Sequence, residues 1–153
     1  MPTDKLPPLE ECTCLAVRQA ARHVTQFYDQ HLASVGLRTT QFSILARLRR
    51  RGPMTINTLA DDMVMDRTTV GRNILPLERE GLLSIEPGRR DRRSKELRLT
   101  DAGLERLLAG YEGWKGAQRE FAAAFGDERT VGLRALLREV AATDLPATSS
   151  TTG

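Results

Sequence analysis

Seven consecutive residues, Arg89-Arg90-Asp91-Arg92-Arg93-Ser94-Lys95, carry five basic side chains and one acidic one. Such a run is too charged to be buried and must project into solvent or onto phosphate. Before it, Leu83 and Ile85 alternate with polar residues and lead to the turn signal Pro87-Gly88; after it, Leu97 and Leu99 alternate in the same way. Period-two alternation on both flanks predicts a β-hairpin with a cationic tip. The placement of charge matters more than its total, because 23 Lys and Arg against 20 Asp and Glu leave a net charge of only +3. With 153 residues, 40% of them hydrophobic, the chain fits one ordinary soluble domain with a dimerising extension.

The remaining segments read as helices. Cys12, Ala16, Ala20, Val24, Phe27, His31 and Val35 recur at three-to-four spacing and mark one face of a long helix from Leu9 to about Ser34. Gly36 supplies a stop, Thr39 or Thr40 an N-cap, and Phe42, Leu45 and Leu48 the inner face of a second helix. Arg51-Gly52-Pro53 breaks it, and Thr55 caps a third helix carrying Ile56, Leu59 and Met63. After a turn at Val64-Met65, Asp66 caps a fourth helix. Its inward stripe is Val70, Ile74 and Leu77, Pro76 should loosen its last turn, and Gly81 ends it. Thr100 caps a long helix whose Gly103, Gly110, Gly113 and Gly116 suggest close packing against another helix; Gly126-Asp127 ends it and caps a last one. From Asp144 the composition is too poor in apolar residues to order itself.

Three helices followed by a hairpin, between residues 39 and 99, is the layout of a winged helix-turn-helix. The expected fold is therefore mainly α with a small β-hairpin wing and long dimerisation helices at both ends. Residues 1–37 form the N-terminal dimerisation helix, 38–99 the DNA-binding lobe, 100–143 the C-terminal dimerisation helices and 144–153 a disordered tail. On the fourth helix Arg67, Thr68, Thr69, Arg72 and Asn73 lie off the buried stripe. There Arg suits guanine, Asn suits adenine, and Thr hydroxyls at a helix start suit phosphate. A lone polar face is more often an ordinary solvated surface. The adjacent cationic hairpin, with Arg89, Arg90, Asp91, Arg92, Arg93 and Lys95, tips the reading toward double-stranded DNA.

The run from Asp91 to Gly103, DRRSKELRLTDAG, resembles the wing signature of the MarR family of transcriptional regulators. Asp66-Arg67-Thr68-Thr69-Val70 with Leu77-Glu78-Arg79-Glu80-Gly81-Leu82 resembles its recognition helix, and the likeness extends from about residue 12 to residue 140. The resemblance implies a homodimer that binds a pseudo-palindromic operator, a repressor released by a ligand or an oxidant. It also implies that Arg93 enters the minor groove while Asp91 orients the wing arginines.

Two signals compete. Cys14 to Tyr28 is similar to the first helix of the organic-hydroperoxide-sensing branch, with Cys14 at the peroxidatic position and Tyr28 matching a tyrosine that engages it; Arg18 stands where a second tyrosine is expected. Arg18 is four residues from Cys14 and would favour a thiolate. On one helix Tyr28 lies about 21 Å from Cys14, so their contact would have to come from a partner chain. The plainer reading makes Cys14 a small packed hydrophobe. The other signal is a small aromatic or carboxylate ligand, with Arg18, Arg22, His23, His31, Tyr111 and Trp114 as candidate contacts that could equally be interface residues.

No cofactor, metal or catalytic centre is expected. Cys12 and Cys14 at i and i+2 point to different sides of a helix, and neither His23 nor His31 can meet Cys14 on the same helix. No run approaches the roughly 18 apolar residues of a membrane span, and Met1-Pro2-Thr3-Asp4-Lys5 leads into no apolar signal region, which places the chain in the cytoplasm. The rival outside this class is an architectural DNA binder with no signal input.

Overall fold

The computed structural model describes residues 8–147, so residues 1–7 of the expected N-terminal segment and 148–153 of the expected tail lie outside the described residues. Two compact units divide after Ala117. In the first, a 3-10 turn at Leu9–Glu11 precedes helix α1 (Thr13–Leu32), and a second such turn, Ala33–Val35, follows it. Then come α2 (Thr39–Arg51), strand β1 (Met54–Thr55), α3 (Ile56–Met63), α4 (Arg67–Arg79), β2 (Leu83–Pro87) and β3 (Lys95–Leu99). Helix α5 (Asp101–Phe125) begins in the first unit and ends in the second, where α6 (Asp127–Ala142) follows.

Most helix starts follow from local chemistry. The Thr55 hydroxyl accepts the Thr58 amide at 3.1 Å, and the Thr100 hydroxyl accepts that of Gly103 at 3.0 Å. Each satisfies an amide that the first helical turn leaves without a partner. Helix α2 differs from expectation, since Thr39 is its first residue rather than its cap. The Thr39 amide donates to Asp29 Oδ1 of α1 at 2.7 Å, and the Arg38 amide donates to Gln41 Oε1 at 3.0 Å. The N-terminal segment differs too. Cys12 is extended and interrupts the expected continuous helix, and its sulfur accepts the Leu15 amide at 3.4 Å. Asp127 opens α6, so Gly126 with φ of 107° occupies the cap position instead.

The hairpin pairs Leu83 with Leu99 and Ile85 with Leu97, in the alternation the sequence predicts. A third strand joins it: Met54 pairs with Leu97 and Thr55 with Glu96, giving an antiparallel sheet in the order β1-β3-β2. Beneath it lies one apolar cluster. Leu32, Ile44, Leu45 and Leu48 contribute from α1 and α2, Leu59 from α3, Val70, Ile74 and Leu77 from α4, and Leu82, Leu83 and Leu97 from the sheet and its entry. Complete burial of one such side chain is worth about 1.5–3 kcal/mol. At the edge of the cluster the carboxylate of Asp62 on α3 meets two arginines of α2. Arg51 Nη1 stands 2.9 Å from Oδ1; Arg47 Nε, 3.1 Å from Oδ2, pairs as a charge without hydrogen-bond alignment.

The glycines of α5 permit close approach. A Cβ at Gly113 would collide with the His31 carbonyl of α1, and one at Gly110 would press on Phe42 and Leu32 at 3.3–3.4 Å. Gly103 departs from the helix-on-helix expectation, because its missing side chain makes room for the Leu82 carbonyl at the entry to β2.

The second unit is held differently. The Phe121 and Phe125 rings stack at 5.6 Å, the Arg129 guanidinium lies 4.1 Å over Phe125, and the Thr130 hydroxyl donates to the Gly126 carbonyl at 2.7 Å. On α6, Leu136, Leu137 and Val140 share one face and are exposed in the single chain, and Val131, on the opposite side, is exposed as well.

Gly113→Ala should destabilise the full chain by about 1–3 kcal/mol through overpacking, against the roughly 1 kcal/mol that alanine adds in helix propensity. Gly116→Ala, whose Cβ would stand 3.6 Å from the His31 ring, should be neutral or stabilising. Urea unfolding followed by circular dichroism checks both, and an unchanged midpoint for Gly113→Ala would refute the close crossing.

Candidate nucleic-acid interface

Helix α4 is aimed by the turn before it and by its own buried stripe. Val64 adopts a left-handed conformation, φ 53°, and the Met65 amide closes back onto the Ala60 carbonyl at 2.9 Å. A β-branched residue is strained there, and the turn is held by that bond together with the Val64 amide, which donates to the Asp61 carbonyl at 3.2 Å. Asp66 follows as cap: one carboxylate oxygen accepts the Thr69 amide at 2.8 Å and the other its hydroxyl at 2.7 Å. The Thr69 hydroxyl, and then its amide, hold the Asp66 carboxyl below its ordinary pKa.

With Val70, Ile74 and Leu77 buried, Arg67, Thr68 and Arg72 are exposed, while Thr69 and Asn73 are half-buried. The Asn73 side chain donates to the Thr69 carbonyl at 2.9 Å. Two-pronged recognition of an adenine would therefore require it to release that bond. The helix continues through Pro76, which is exposed, to Arg79; only the amide that the Arg72 carbonyl would otherwise accept is missing.

The cationic tip is folded by one aspartate. Asp91 Oδ1 accepts the Arg93 amide at 3.0 Å, and the Asp91 carbonyl accepts the Ser94 amide at 3.1 Å and the Ser94 hydroxyl at 2.7 Å. The Gly88 amide donates to the Ser94 carbonyl at 2.8 Å, closing the loop. Asp91 thus positions the arginines by shaping the backbone. Arg89, Arg90, Arg92, Arg93 and Lys95 are all exposed.

Below the tip, Glu86 and Glu96 face each other across the two strands. Like charges so placed repel. Arg98 lies between them, with Nη2 hydrogen-bonded to Glu96 Oε2 at 2.8 Å and Nε 2.9 Å from Glu86 Oε2. This stalk went unread in the sequence; the signal was there in the strand register, which sets Glu86 opposite Glu96.

The other candidates are more dispersed. Cys12, Cys14 and Arg18 are exposed and Tyr28 is half-buried, with Cys14 and Tyr28 fourteen residues apart on the same helix. Arg22 and His23 are exposed on α1. His31 donates from Nδ1 to the Phe27 carbonyl at 2.9 Å, with its ring 4.6 Å from that of Phe27. Tyr111 stacks on Trp114 at 5.4 Å, and Trp114 on Phe42 at 6.1 Å. A cavity of about 560 Å³ at the junction of α1 and α2 is lined by Asp29, Ala33, Gly36, Leu37, Arg38 and Gln41, none of them a sequence candidate. Among the described residues no group of three or more His, Cys, Asp or Glu could hold a metal, and no helix is long and apolar enough to cross a membrane.

A capped helix set outward on a three-helix core, with a basic hairpin beside it, defines a winged helix-turn-helix DNA-binding regulator. Residues 37–95 match the model of the MarR family. The chain is 32% identical over 115 residues to the HTH-type transcriptional regulator PecS of Dickeya dadantii (strain 3937), spanning 73% of this chain and 69% of that one. It is similar to the M. tuberculosis transcriptional regulator MosR, with a TM-score of 0.75 and 34% identity over 88% of this chain and 98% of the other. A second structure of that regulator contains DNA, with a TM-score of 0.71 over 85% of this chain and 98% of the other. The fold is also that of Bordetella bronchiseptica BpsR, whose DNA binding is regulated by 6-hydroxynicotinic acid (TM-score 0.80, 21% identity, 91% and 99% covered). The chain belongs to the MarR family: it is a DNA-binding transcriptional regulator, not an enzyme.

The Asp66 cap should carry a pH signature. Because the folded pKa lies below the unfolded one, its contribution is fully present above the ordinary aspartate value and is lost as pH falls through the folded value. Asp66→Asn keeps an acceptor for the Thr69 amide but cannot titrate. Thermal melts should show wild type ahead of Asp66→Asn near neutral pH and the gap narrowing in acid. A gap independent of pH would refute the assignment.

Proposed function

We propose that the chain is a cytoplasmic homodimeric repressor that binds a pseudo-palindromic operator and leaves it when a small ligand or an oxidant acts on the dimer. Residues 38–99 form the DNA-binding lobe, and residues 1–37 and 100–143 supply the dimer helices, with 144–153 as a tail. The observation that carries this reading is the pre-folded basic tip, Arg89 to Lys95, in the same lobe as an outward-facing α4. Arg67, Thr68, Thr69, Arg72 and Asn73 address the major groove; Arg89, Arg90, Arg92, Arg93 and Lys95 address backbone and minor groove, with Asp91 holding their loop. The uncovered stripe on α6 supports pairing of two chains, and pairing gives a weak, salt-sensitive lobe its specificity through half-site spacing.

For the signal, two observations support different inputs. Cys14 is exposed next to Cys12, whose sulfur takes a helix amide. A Cys14 thiolate attacking an organic hydroperoxide becomes a sulfenic acid and releases the alcohol. Arg18 lies one turn along the same helix, and Tyr28 would have to reach Cys14 from the second chain. The regulation of BpsR by an aromatic carboxylate supports instead a ligand held among Arg22, His23, His31, Tyr111 and Trp114. An architectural protein without input would keep its DNA under both treatments.

The test uses a duplex selected from a randomised pool by the full-length protein, titrated by fluorescence anisotropy at fixed salt. Wild type should prefer it over random DNA by orders of magnitude, and Arg93→Ala should weaken it by about 1–3 kcal/mol. Cumene hydroperoxide should release wild type but not Cys14→Ser if the input is oxidation. Equal release of both, or of neither, would eliminate that input. Equal affinity for selected and random DNA would leave the architectural reading standing.

A further inference from the structure

Among the described residues six glycines stand inside helices, and four of them, Gly103, Gly110, Gly113 and Gly116, have a neighbour's atom within 4 Å of where a Cβ would stand. Gly71 on α4 and Gly132 on α6 have none. Neither has a positive φ. A glycine inside a helix lowers stability relative to alanine, and at these two positions nothing within the chain requires it. Gly132 lies one turn before exposed Leu136 on the helix whose apolar face is proposed to meet a second chain. Gly71 lies on the helix proposed to enter DNA, so both unexplained glycines fall on faces where something outside the chain is expected.

The surroundings of Gly71 say what that something is. Thr68, Gly71 and Leu75 follow one another at i, i+3 and i+7, a single line along the helix, with Arg72 beside them. Leu75 is 51% exposed, although the buried stripe of the same helix is 0–1% exposed. The line is therefore a hydroxyl, an open notch and an apolar side chain, flanked by a guanidinium. Thymine differs from every other base in the major groove by its 5-methyl group, which apolar side chains recognise, and guanine offers two acceptors to Arg.

We propose that Gly71 and Leu75 are specificity-determining residues: the notch at Gly71 admits a base-pair edge close to the helix, and Leu75 packs on the 5-methyl group of a thymine near a guanine read by Arg72. The inference rests on the reading of α4 as the helix that enters the major groove.

Two variants and one modified DNA test it, using the full-length protein and the duplex it selects from a randomised pool. Gly71→Ala should melt higher than wild type by about 2–4 °C, since no internal contact resists the methyl group, yet bind the duplex about tenfold more weakly. Replacing thymines one at a time with deoxyuridine removes only the methyl group. Wild type should lose about three- to fourfold at one position per half-site, and Leu75→Ala should be indifferent there. Wild-type affinity for Gly71→Ala overturns the notch, and a wild type insensitive to every uracil overturns the role of Leu75. Arg72→Ala separates the two levels. If it binds as wild type does, the groove reading of α4 fails and this inference with it; if it is weakened while Gly71→Ala and Leu75→Ala are unaffected, only the present inference fails.

Discussion

The burial of Val70, Ile74 and Leu77 decides what this protein shows to the outside. These three side chains enter the same apolar cluster as Leu45, Leu59 and Leu97, and their i, i+4, i+7 spacing leaves the helix only one rotation about its axis. Rotating α4 by one residue would drive either Glu78 or the polar pair Thr69 and Asn73 into that cluster, where an unpaired charge or polar group is far more expensive than the apolar side chain it displaces. The outward set is thus selected by what the inward set requires. Asp66, bound twice to Thr69, then fixes where the helix begins, and the left-handed turn at Val64 fixes the direction from which it starts.

The two basic surfaces are organised by different physics. On α4, orientation comes from apolar burial. At the wing it comes from hydrogen bonds, since nothing of the tip except Gly88 is buried and Asp91 with Ser94 closes the loop. Between tip and core, Arg98 neutralises a pair of facing glutamates that would otherwise push the two strands apart. That arrangement keeps negative charge at the base of the hairpin and positive charge at its end.

How much of this was legible in the sequence depended on distance along the chain. Caps reach three residues, so Thr55, Asp66 and Thr100 were readable as helix starts, and the alternation on either side of Pro87-Gly88 predicted the hairpin. What the sequence concealed is non-local. Strand β1 has two residues, too few to alternate, and exists because β3 offers it an edge. The cap of α2 comes from Asp29, ten residues upstream on another helix. Ile44, off the expected stripe, is fully buried because α2 is covered on more than one side. At the candidate site, exposure of the arginines was legible from charge, whereas the bond between Asn73 and Thr69 and the openness around Gly71 depend on atomic positions that no residue pattern encodes.

A flexible polycation surrenders much of its freedom when it settles on an anionic surface, and that loss is subtracted from whatever the charges gain. A tip already shaped by its own aspartate and serine has little left to surrender. Its grip is therefore preorganised, and neutralising Asp91 would leave every arginine in place while restoring the entropic penalty that a disordered basic arm carries.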